Sequence, residues 1–484
     1  MAGTVIESRS IDVIPGTERH GSPMNQFTLW LGANLQITAI VDGSLAVVFG
    51  ADAIWAIIGL LIGNCAGGVV MALHSAQGPR LGLPQMISSR AQFGVYGAVI
   101  PLLFVILMYL GFTATGTVLA GQAINAFLHV DAPAIGIVIF IAVVAVIAIV
   151  GYNLIHKVGR VASILGIVGF GYLAIRLFTT HDVPAAFANP SFEFVTFLLS
   201  IALGAGWQLT YGPYVADYSR YLPEETPEKA VFWATWAGSV VGSQVSMTFG
   251  VAVAAVAGDA FLKSQVGWLG GLAGPAVVAA LIYLVIVIGK LTVTCLNAYG
   301  SFMCATTITT AVSGRQRVSG TTRIAFILTM LVLSMFIALW GSADFLDNFK
   351  NFVLLLLMVF TPWSAINLTD YYLVSREKVD RPALYEPDGR YGRWNAAALT
   401  TYFVGVIVQI PFLAQSLYTG PLTEMLGGAD ISWIVGLVVP SVMFYLWGSR
   451  TNVAPAAMVP MPGVVTSATP NDDLTGSARA RGGR

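Results

Sequence analysis

The sequence predicts an all-helical integral membrane protein with twelve transmembrane helices. Of its 484 residues, 56% are hydrophobic and only 10% are charged, whereas about 25% of the residues of a soluble domain are charged. Apolar runs of about 20 residues, enough to cross roughly 30 Å of hydrocarbon, recur along nearly the whole chain. Lysine and arginine gather in alternate loops between these runs. Together these observations exclude a soluble domain built on one core.

Twelve apolar segments account for these runs and are called spans 1 to 12. In chain order they cover residues 26–49, 53–74, 97–127, 133–152, 160–179, 194–215, 229–257, 274–312, 322–341, 350–372, 396–414 and 431–448. The stretch between spans 2 and 3, "HSAQGPRLGLPQMISSRAQFGVYG", is too polar to cross the membrane. It predicts an interfacial helix and loop.

The basic residues orient these spans. With the N-terminus inside, all but four of the 24 lysine and arginine residues fall in inner segments. The exceptions are Arg176, Lys263 and Lys350 in outer segments, and Lys290 within span 8. Because basic residues are retained on the cytoplasmic side, this pattern predicts a multi-pass protein of the cytoplasmic (cell) membrane with both termini in the cytoplasm.

The order of the spans predicts an internal repeat. Residues 1–25 form a cytoplasmic N-terminal segment, 26–179 a first five-helix repeat, 194–372 a second, inverted repeat, 396–448 two additional transmembrane helices, and 449–484 a disordered cytoplasmic tail. In inverted repeats the first helix of each repeat is often broken near the bilayer midplane. The candidate breaks are Gly43 in span 1 and Gly212-Pro213 in span 6, with a further one near Gly300 in the long span 8. Glycine is also a common close-packing residue of membrane helices.

Polar side chains form two stripes at helical spacing, where residues i, i+4 and i+7 share a face. The stripe in span 8 comprises Lys290, Thr294, Asn297 and Ser301. The stripe in span 1 comprises Asn34, Thr38 and Asp42. Neither stripe is expected to face lipid, because polar groups in hydrocarbon are costly.

Lys290 and Asp42 are the amine and the carboxylate that lie well inside the spans. A lysine at the bilayer centre costs about 2.5 to 3.5 kcal/mol, so a contact between Lys290 and Asp42, direct or through water, would keep both charges in a low-dielectric interior. One interpretation is a structural ion pair, or a lysine that extends to an aqueous vestibule. The other is ion coupling, in which the Lys290 ammonium takes the place of a sodium ion between spans 1 and 8 and its protonation cycle responds to the proton gradient.

Aromatic and amide side chains beside the candidate breaks predict a site for a flat polar solute. An aromatic face stacks on a planar ring, and an amide pairs with adjacent ring donors and acceptors. The candidates are Asn34 in span 1, Tyr109 and Thr113 in span 3, Trp207, Gln208 and Tyr211 in span 6, and Asn297 in span 8. Each aromatic residue taken alone is also explained as a lipid-facing or core residue.

No enzyme activity is predicted. Cys65, Cys295 and Cys304 lie in apolar segments without the spacing of a disulfide framework or a zinc site, and the spans lack the paired histidine and glutamate that an intramembrane enzyme would need. A channel, usually built from rings of charge in an oligomer, is the alternative of another class. The expected partners are a small molecule and membrane lipids rather than nucleic acid, and the chain is expected to be monomeric, with no metal and no cofactor other than a coupling ion.

Six further stretches are distinctive: "IDVIPGTERHG", "FTLWLGANLQI", "GPRLGLPQMISSRAQFGVYG", "YVADYSRYLP", "LNAYGS" and "PWSAINLTDYYLV". They resemble the nucleobase:cation symporter family, in its purine-cytosine permease branch. The resemblance runs from about Glu7 to span 12. It implies a LeuT-type fold of two inverted five-helix repeats plus two helices, and import of a nucleobase or a related heterocycle by secondary active transport with alternating access.

The resemblance also assigns roles to individual residues. The substrate-binding positions of relatives fall on Tyr109, Thr113, Trp207 or Tyr211, and Asn297. Their sodium-binding hydroxyls fall on Thr292 and Thr294, opposite span 1 carbonyls. The sequence departs from this sodium-binding pattern, because it carries Lys290 among these positions and Asp42 opposite them. The departure favours proton symport of a purine, cytosine or similar planar heterocycle. The alternative within the family is a sodium-coupled carrier of allantoin, hydantoin or a vitamin ring, and Thr113 is shorter than the amide of some relatives.

Overall fold

A computed structural model describes residues 11–150, 152–313, 319–416, 418–451 and 454–462. In this part of the chain, helices α1 to α20 cover, in order, Pro23–Asn34, Ile37–Val48, Ala53–Leu81, Gln85–Ser88, Arg90–Phe93, Val99–Leu128, Pro133–Val150, Tyr152–Thr180, Val183–Ala186, Phe194–Leu209, Ala216–Ser219, Glu228–Ala257, Asp259–Lys263, Gln265–Ala273, Ala276–Ser313, Gly320–Gly341, Phe345–Leu368, Ala396–Ile407, Pro421–Met425 and Ser432–Thr451. The first ten residues of the predicted N-terminal segment, and most of the predicted tail beyond residue 462, lie outside the described residues.

Short elements complete the chain. Single 3-10 turns cover Gly16–Glu18, Pro382–Tyr385 and Ile410–Phe412, and a π-helical turn covers Thr369–Val374. Strands β1, Ala414–Gln415, and β2, Tyr418–Thr419, pair antiparallel in a small hairpin. The protein is therefore almost wholly helical, as predicted.

Each predicted span coincides with an apolar helix. Within the described residues, seven helices are long and apolar enough to cross a membrane, or eight if the bent pair α1–α2 is one span. Four shorter apolar helices occupy the remaining predicted spans: Pro133–Ala148, Ile164–Thr180, Phe194–Leu209 and Ala396–Phe412. The number of twelve crossings stays a prediction.

The first span is broken, but not at Gly43. Helices α1 and α2 meet at an angle of 61°, and the break falls on Leu35 and Gln36. Gly43 lies inside α2 against α12, where an added Cβ would be 2.4 Å from Met247 Cα. The prediction for Gly43 is wrong because this glycine serves close packing, not a change in backbone direction.

The sixth span ends where the sequence predicts. Helix α10 stops at Leu209, Gly212 and Pro213 lie in an irregular turn, and the single-turn α11 begins at Ala216. Proline lacks a backbone N–H and its ring clashes with the carbonyl four residues earlier, here that of Leu209, where α10 stops. Span 8 differs from expectation: α15 runs unbroken through Gly300, whose missing Cβ makes room for the ring of Tyr109.

Two groups of helices make up the bundle. The first contains α1, α2, α3, α10 and α12, and the second contains α6, α7, α15 and α16. Helix α17 packs on both α10 and α6, and α18 and α20 pack on α17. The pattern is symmetric, since α12 packs on α1 and α2 much as α3 packs on α10, which is what two interlocked repeats require.

Small residues bring α12 close to the broken first span. Gly238, Gly242, Ser246 and Gly250 recur every fourth residue on one face of α12. A Cβ added at the three glycines would lie 2.3, 2.7 and 1.8 Å from backbone oxygens of α1 and α2. Backbones can approach this closely only where side chains are absent.

One end of the bundle, here called the basic face, is formed by residues 11–22, 78–98, 216–228 and 369–395. Arg19 and Arg381, whose side chains are 1% exposed, share Glu224 at N···O distances of 3.9 and 2.7 Å. Burial lowers the pKa of Arg19, and Glu224 opposes that shift. The predicted interfacial helix and loop lies here as the single-turn helices α4 and α5, whose residues are all buried within the protein. Its position relative to the membrane surface stays a prediction.

Candidate functional site

The two interrupted helices meet at Asn34, the last residue of α1. Trp207 Nε1 and Tyr211 Oη donate to Asn34 Oδ1 at 2.6 and 2.9 Å. Asn34 Nδ2 donates to Trp30 O at 2.8 Å and to Ser239 Oγ at 3.1 Å. These four hydrogen bonds occupy every donor and acceptor position of the Asn34 amide. The predicted substrate residue Asn34 therefore joins the ends of α1 and α10 here.

Gln208 is linked to Asn34 through Ser239, whose Oγ accepts from Asn34 Nδ2 and donates to Gln208 Oε1. Its Nε2 donates to Asn64 Oδ1 at 3.0 Å and to Ser243 Oγ at 3.1 Å, and its Oε1 accepts from Ser239 Oγ at 2.6 Å. Gln208 therefore faces α3 and α12 within the first helix group. In the sequence, polar residues within the apolar spans 2 and 7 indicated such a network. Which helices those residues face became clear only from the packing of spans 2 and 7 in the structure.

Aromatic rings connect α6 with the end of α10. Trp207 packs edge-on against Tyr211 and against Phe112, with ring centroids 6.0 Å apart in both pairs. Tyr109 lies 5.6 Å from Tyr214. Trp207 and Tyr109 are 2% and 5% exposed. The predicted aromatic residues of spans 3 and 6 thus share one buried cluster, to which Phe112 and Tyr214 add rings that the sequence reasoning missed.

The polar stripe of α15 faces α6. The two helices run antiparallel, because Tyr109 lies beside Gly300, and Lys290 and Thr294 lie beside Gly116. Thr113, between Tyr109 and Gly116, is therefore level with the turn of α15 that carries Asn297. Thr113 and Asn297, two of the predicted substrate residues, thus lie at the same level of the bundle.

Three buried polar atoms at this interface lack a hydrogen-bond partner among the described residues. They are Thr113 Oγ1, Asn297 Nδ2 and Ser301 Oγ. An unsatisfied buried donor or acceptor costs about 1 to 3 kcal/mol, and such groups mark places where a further polar group is needed. The arrangement offers hydrogen bonds to a polar molecule bound between α6 and α15.

Lys290 reaches from α15 to the break in the first span. Its Nζ donates to Gln36 Oε1 at 2.6 Å and to Thr38 Oγ1, and its side chain is 3% exposed. Gln36 lies in the two-residue gap between α1 and α2. The sequence reasoning missed Gln36, since the gap was placed at Gly43.

Asp42 accepts no hydrogen bond from Lys290. The residue is fully buried, and neither carboxylate oxygen has a hydrogen-bond partner among the described residues. Thr38 precedes Asp42 by one turn, about 6 Å along the axis of α2. Of the two expected forms of the contact, the direct one is absent among the described residues: the lysine side chain ends at the oxygens of Gln36 and Thr38, one turn short of the carboxylate. A contact through water stays a prediction.

The two predicted sodium-binding hydroxyls occupy different environments. Thr294 is 1% exposed and lies 3.6 Å from a Cβ placed on Gly116. Thr292 is only half-buried, and its Oγ1 donates to Ile288 O at 3.1 Å, within its own helix. Of the two, Thr294 lies on the face that carries Lys290.

Comparison with known proteins adds an independent line of observation. Residues 13–436 match the family model described as "Permease for cytosine/purines, uracil, thiamine, allantoin". The Bacillus subtilis (strain 168) protein YxlA is 37% identical over 441 residues, which cover 91% of this chain and 95% of YxlA. The purine-cytosine permease fcyB of Emericella nidulans is 26% identical over 455 residues, 89% of this chain and 86% of fcyB.

Among solved structures, the inward-facing conformation of Mhp1 superposes with a TM-score of 0.73. The match covers 95% of this chain and 99% of Mhp1 at 18% sequence identity. At this identity the likeness is one of architecture, and it extends over nearly the whole molecule.

Proposed function

The chain belongs to the family of permeases for cytosine and purines, uracil, thiamine and allantoin, and from that membership we propose that it imports a nucleobase, a purine, cytosine or a similar planar heterocycle, by proton symport. As a member of this family it is a secondary transporter and not an enzyme. Its architecture is the LeuT type, built from two inverted five-helix repeats. The substrate, the coupling ion and the roles of individual residues are the proposed parts.

The interface between α6 and α15 supports a planar polar substrate. The observation that carries the proposal is the set of unsatisfied atoms on Thr113, Asn297 and Ser301, which lies beside the buried rings of Tyr109 and Trp207. A heterocycle with ring nitrogens and carbonyls would stack on a ring and satisfy those atoms at its edge. An apolar substrate would leave them unsatisfied.

The position of Lys290 supports protons over sodium. The ammonium already fills the oxygen-lined place at the break between α1 and α2, where it donates to Gln36 and Thr38. A sodium ion bound between this break and α15 would meet a like charge, which is strongly unfavourable in a low dielectric. Asp42, one turn away, is the proposed counter-charge in the coupling cycle.

The proposed setting is the cell membrane, with the basic face in the cytoplasm and the chain acting as a monomer. Arg80, Arg90 and Arg220 join Arg19 and Arg381 at that face. Lys350 lies near the opposite end, paired with Asp347 at 3.0 Å. Retention of basic residues in the cytoplasm favours this orientation.

The test is uptake by purified protein in liposomes. A panel of labelled nucleobases, with allantoin, hydantoin and thiamine, is offered while pH, sodium and voltage gradients are imposed one at a time. We expect accumulation of at least one nucleobase under an inward proton gradient and none under sodium alone. Sodium-driven accumulation would replace proton coupling, and saturable uptake separates a carrier from a channel. If no compound accumulates under any gradient, the proposed function is wrong.

Lys290→Ala tests the coupling role, with Lys350→Ala as a matched control. Loss of the buried ammonium is expected to abolish accumulation driven by the proton gradient while exchange of labelled for unlabelled substrate persists. Lys350→Ala removes the same functional group near the opposite end and is expected to leave both activities near wild type. Proton-driven accumulation that survives in Lys290→Ala, with unchanged pH dependence, would remove Lys290 from the mechanism.

A further inference from the structure

A chain of buried polar side chains crosses the molecule just inside the basic face. Gln77 Nε2 of α3 donates to Asn367 Oδ1 of α17 at 3.0 Å, and Asn367 Nδ2 donates to Gln92 Oε1 of α5 at 3.0 Å. Gln92 Nε2 then donates to Asp370 Oδ2 at 2.8 Å. None of the four side chains is more than 2% exposed. Each amide donates to the next residue, and the chain ends on a carboxylate, which strengthens the last bond.

The π-helical turn after α17 holds Asp370 in this chain. Ser375 N donates to Asp370 O at 2.7 Å, across five residues, and Ser375 Oγ donates to Asp370 Oδ1 at 3.1 Å. One carboxylate oxygen is thus held from its own turn, and the other faces Gln92. Turns of this kind occur frequently at functional sites.

A second set of contacts runs beside the first. The ring of His74 stacks on Trp363, with centroids 4.6 Å apart and planes at 16°. Its Nε2 lies 3.1 Å from Ser364 Oγ, and Trp363 Nε1 donates to Ser89 Oγ at 3.2 Å. These contacts again tie α3 and α17 to the short segment of α4 and α5.

The joined segments belong to different helix groups. Helix α3 packs on α10 and α12 in the first group, whereas α5 leads into α6 of the second group, and α17 contacts both. Gln92 and Ser89 come from "GPRLGLPQMISSRAQFGVYG", Asn367 and Asp370 come from "PWSAINLTDYYLV", and Gln77 directly precedes the first of these motifs. The proposed substrate site uses neither of these motifs, so their polar residues need another explanation.

A carrier with two repeats exposes its central site to one side at a time as one group of helices rocks against the other. Apolar contacts between the groups can slide gradually, but a hydrogen-bonded chain is either made or broken, which yields two discrete arrangements. We propose that Gln77, Asn367, Gln92 and Asp370 form a latch that closes the substrate path at the basic face, and that breaking this latch opens the transporter to that side.

Cys304 of α15 is a natural reporter of this opening. Its side chain is fully buried, with Sγ 3.3 Å from Met86 Sδ of α4. Gln85 N of α4 donates to Asp217 Oδ1 of α11 at 2.8 Å, and α11 packs on α3, so α4 is bonded to the first group. Opening at the basic face would therefore draw α4 away from α15 and expose the thiol. The measurement is the rate at which a soluble maleimide labels Cys304 in the purified full-length protein, read by mass spectrometry of the cysteine-containing peptides.

A pair of isosteric substitutions provides the test. Gln92→Glu sets two carboxylates against each other and is expected to raise the labelling rate of Cys304 about tenfold, a coupling of the size seen for directly bonded residues. Asp370→Asn is expected to change labelling by less than about twofold, because the introduced amide can turn its oxygen toward Gln92 Nε2 and its NH₂ group toward Ser375 Oγ. In the double variant the carboxylate and the amide are exchanged, every bond in the chain can form again, and labelling should return to within about twofold of wild type.

Gln122→Glu is the matched control. Gln122 Nε2 donates to Gln265 Oε1 at 2.8 Å, an amide pair between α6 and α14 away from the basic face. The same change there is expected to leave Cys304 labelling unaltered. Unchanged labelling in Gln92→Glu, failure of the double variant to restore protection, or an equal increase in Gln122→Glu would each overturn the latch. If a single variant is not recovered folded, Gln77→Leu, which removes only the first link, must raise labelling instead.

Discussion

Substitution of Gly300 by alanine should displace the ring of Tyr109. Gly300 lies on the face of α15 that contacts α6, and a Cβ added there would be 2.5 Å from Tyr109 Cζ and 2.6 Å from its Oη. Carbon atoms in ordinary contact are about 3.5 to 4 Å apart. The tip of the ring must therefore move by about 1 Å, or the two helices must separate by that amount.

The size of the expected loss in substrate affinity follows from the tight packing around Tyr109. Its ring is 5% exposed and packs against Tyr214 at 5.6 Å between centroids, so it cannot move without disturbing that neighbour. An extra methyl group in a well-packed interior costs about 1 to 3 kcal/mol. If this free energy destabilises the substrate-bound state, substrate affinity falls about tenfold for each 1.4 kcal/mol. The expected loss of affinity is therefore roughly 5- to 150-fold.

The assay is equilibrium binding of the transported nucleobase to purified protein, with thermal unfolding measured in parallel. Gly289→Ala is the control, because a Cβ at that position of the same helix has no atom within 4 Å. Both variants gain the helix propensity of alanine over glycine, about 1 kcal/mol. Only Gly300→Ala should lose affinity.

Three results would refute this reasoning. Unchanged affinity in Gly300→Ala would show that Tyr109 does not contact the substrate or that the interface yields freely. Loss of affinity accompanied by an equal loss in Gly289→Ala would assign the effect to α15 as a whole. A fall in melting temperature without a change in affinity would place the strain in the fold and not in the site.

Three further predictions concern buried polar groups. Glu224→Gln leaves the guanidinium groups of Arg19 and Arg381 without their shared counter-charge and should cost about 3 kcal/mol of stability, seen as a lower melting temperature; an unchanged value would contradict it. Thr113→Val removes an unsatisfied hydroxyl at nearly constant volume, so stability should hold or rise by about 1 kcal/mol while substrate affinity falls about tenfold; unaltered affinity would exclude Thr113 from the site. Asp42→Asn should abolish accumulation driven by a proton gradient but preserve exchange, and loss of both would indicate a structural role.

Much of the fold could be predicted from local composition. Apolar runs long enough to cross a bilayer specify helices almost independently of their neighbours, because an isolated helix satisfies its own backbone in lipid. The spans drawn from the sequence therefore coincide with helices. The break at Gly212 and Pro213 was also predictable, because a flexible glycine and a proline without a backbone N–H stand side by side. Proline alone does not suffice, since Pro79, Pro362 and Pro440 lie inside helices.

The roles of the glycines could not be predicted in the same way. Gly43 and Gly300 read as possible breaks, but both lie in regular helix and make room for a neighbouring element, Met247 in one case and Tyr109 in the other. Whether a glycine bends a helix or admits a neighbour depends on what packs against it. That information lies far away in the chain.

The candidate site, too, could be predicted from the sequence only in part. Helical spacing correctly grouped Lys290 with Thr294 on one buried face of α15 and directed it toward span 1. It could not say that the amine would stop at Gln36 and Thr38, one turn before Asp42, because that outcome depends on where α1 ends and how far α15 lies from it. Gln208 shows the same limit, since its partners come from α3 and α12.

The sequence by itself determined that this chain is a helical membrane protein, which segments are helices, and which of their faces are polar. These properties follow from the hydrocarbon thickness and from 3.6 residues per turn, both of which act on short stretches. Only the tertiary structure decided which polar faces meet, where the first span breaks, and which buried groups stay unsatisfied. Those outcomes depend on contacts between residues hundreds of positions apart, where a shift of one helical turn exchanges one partner for another.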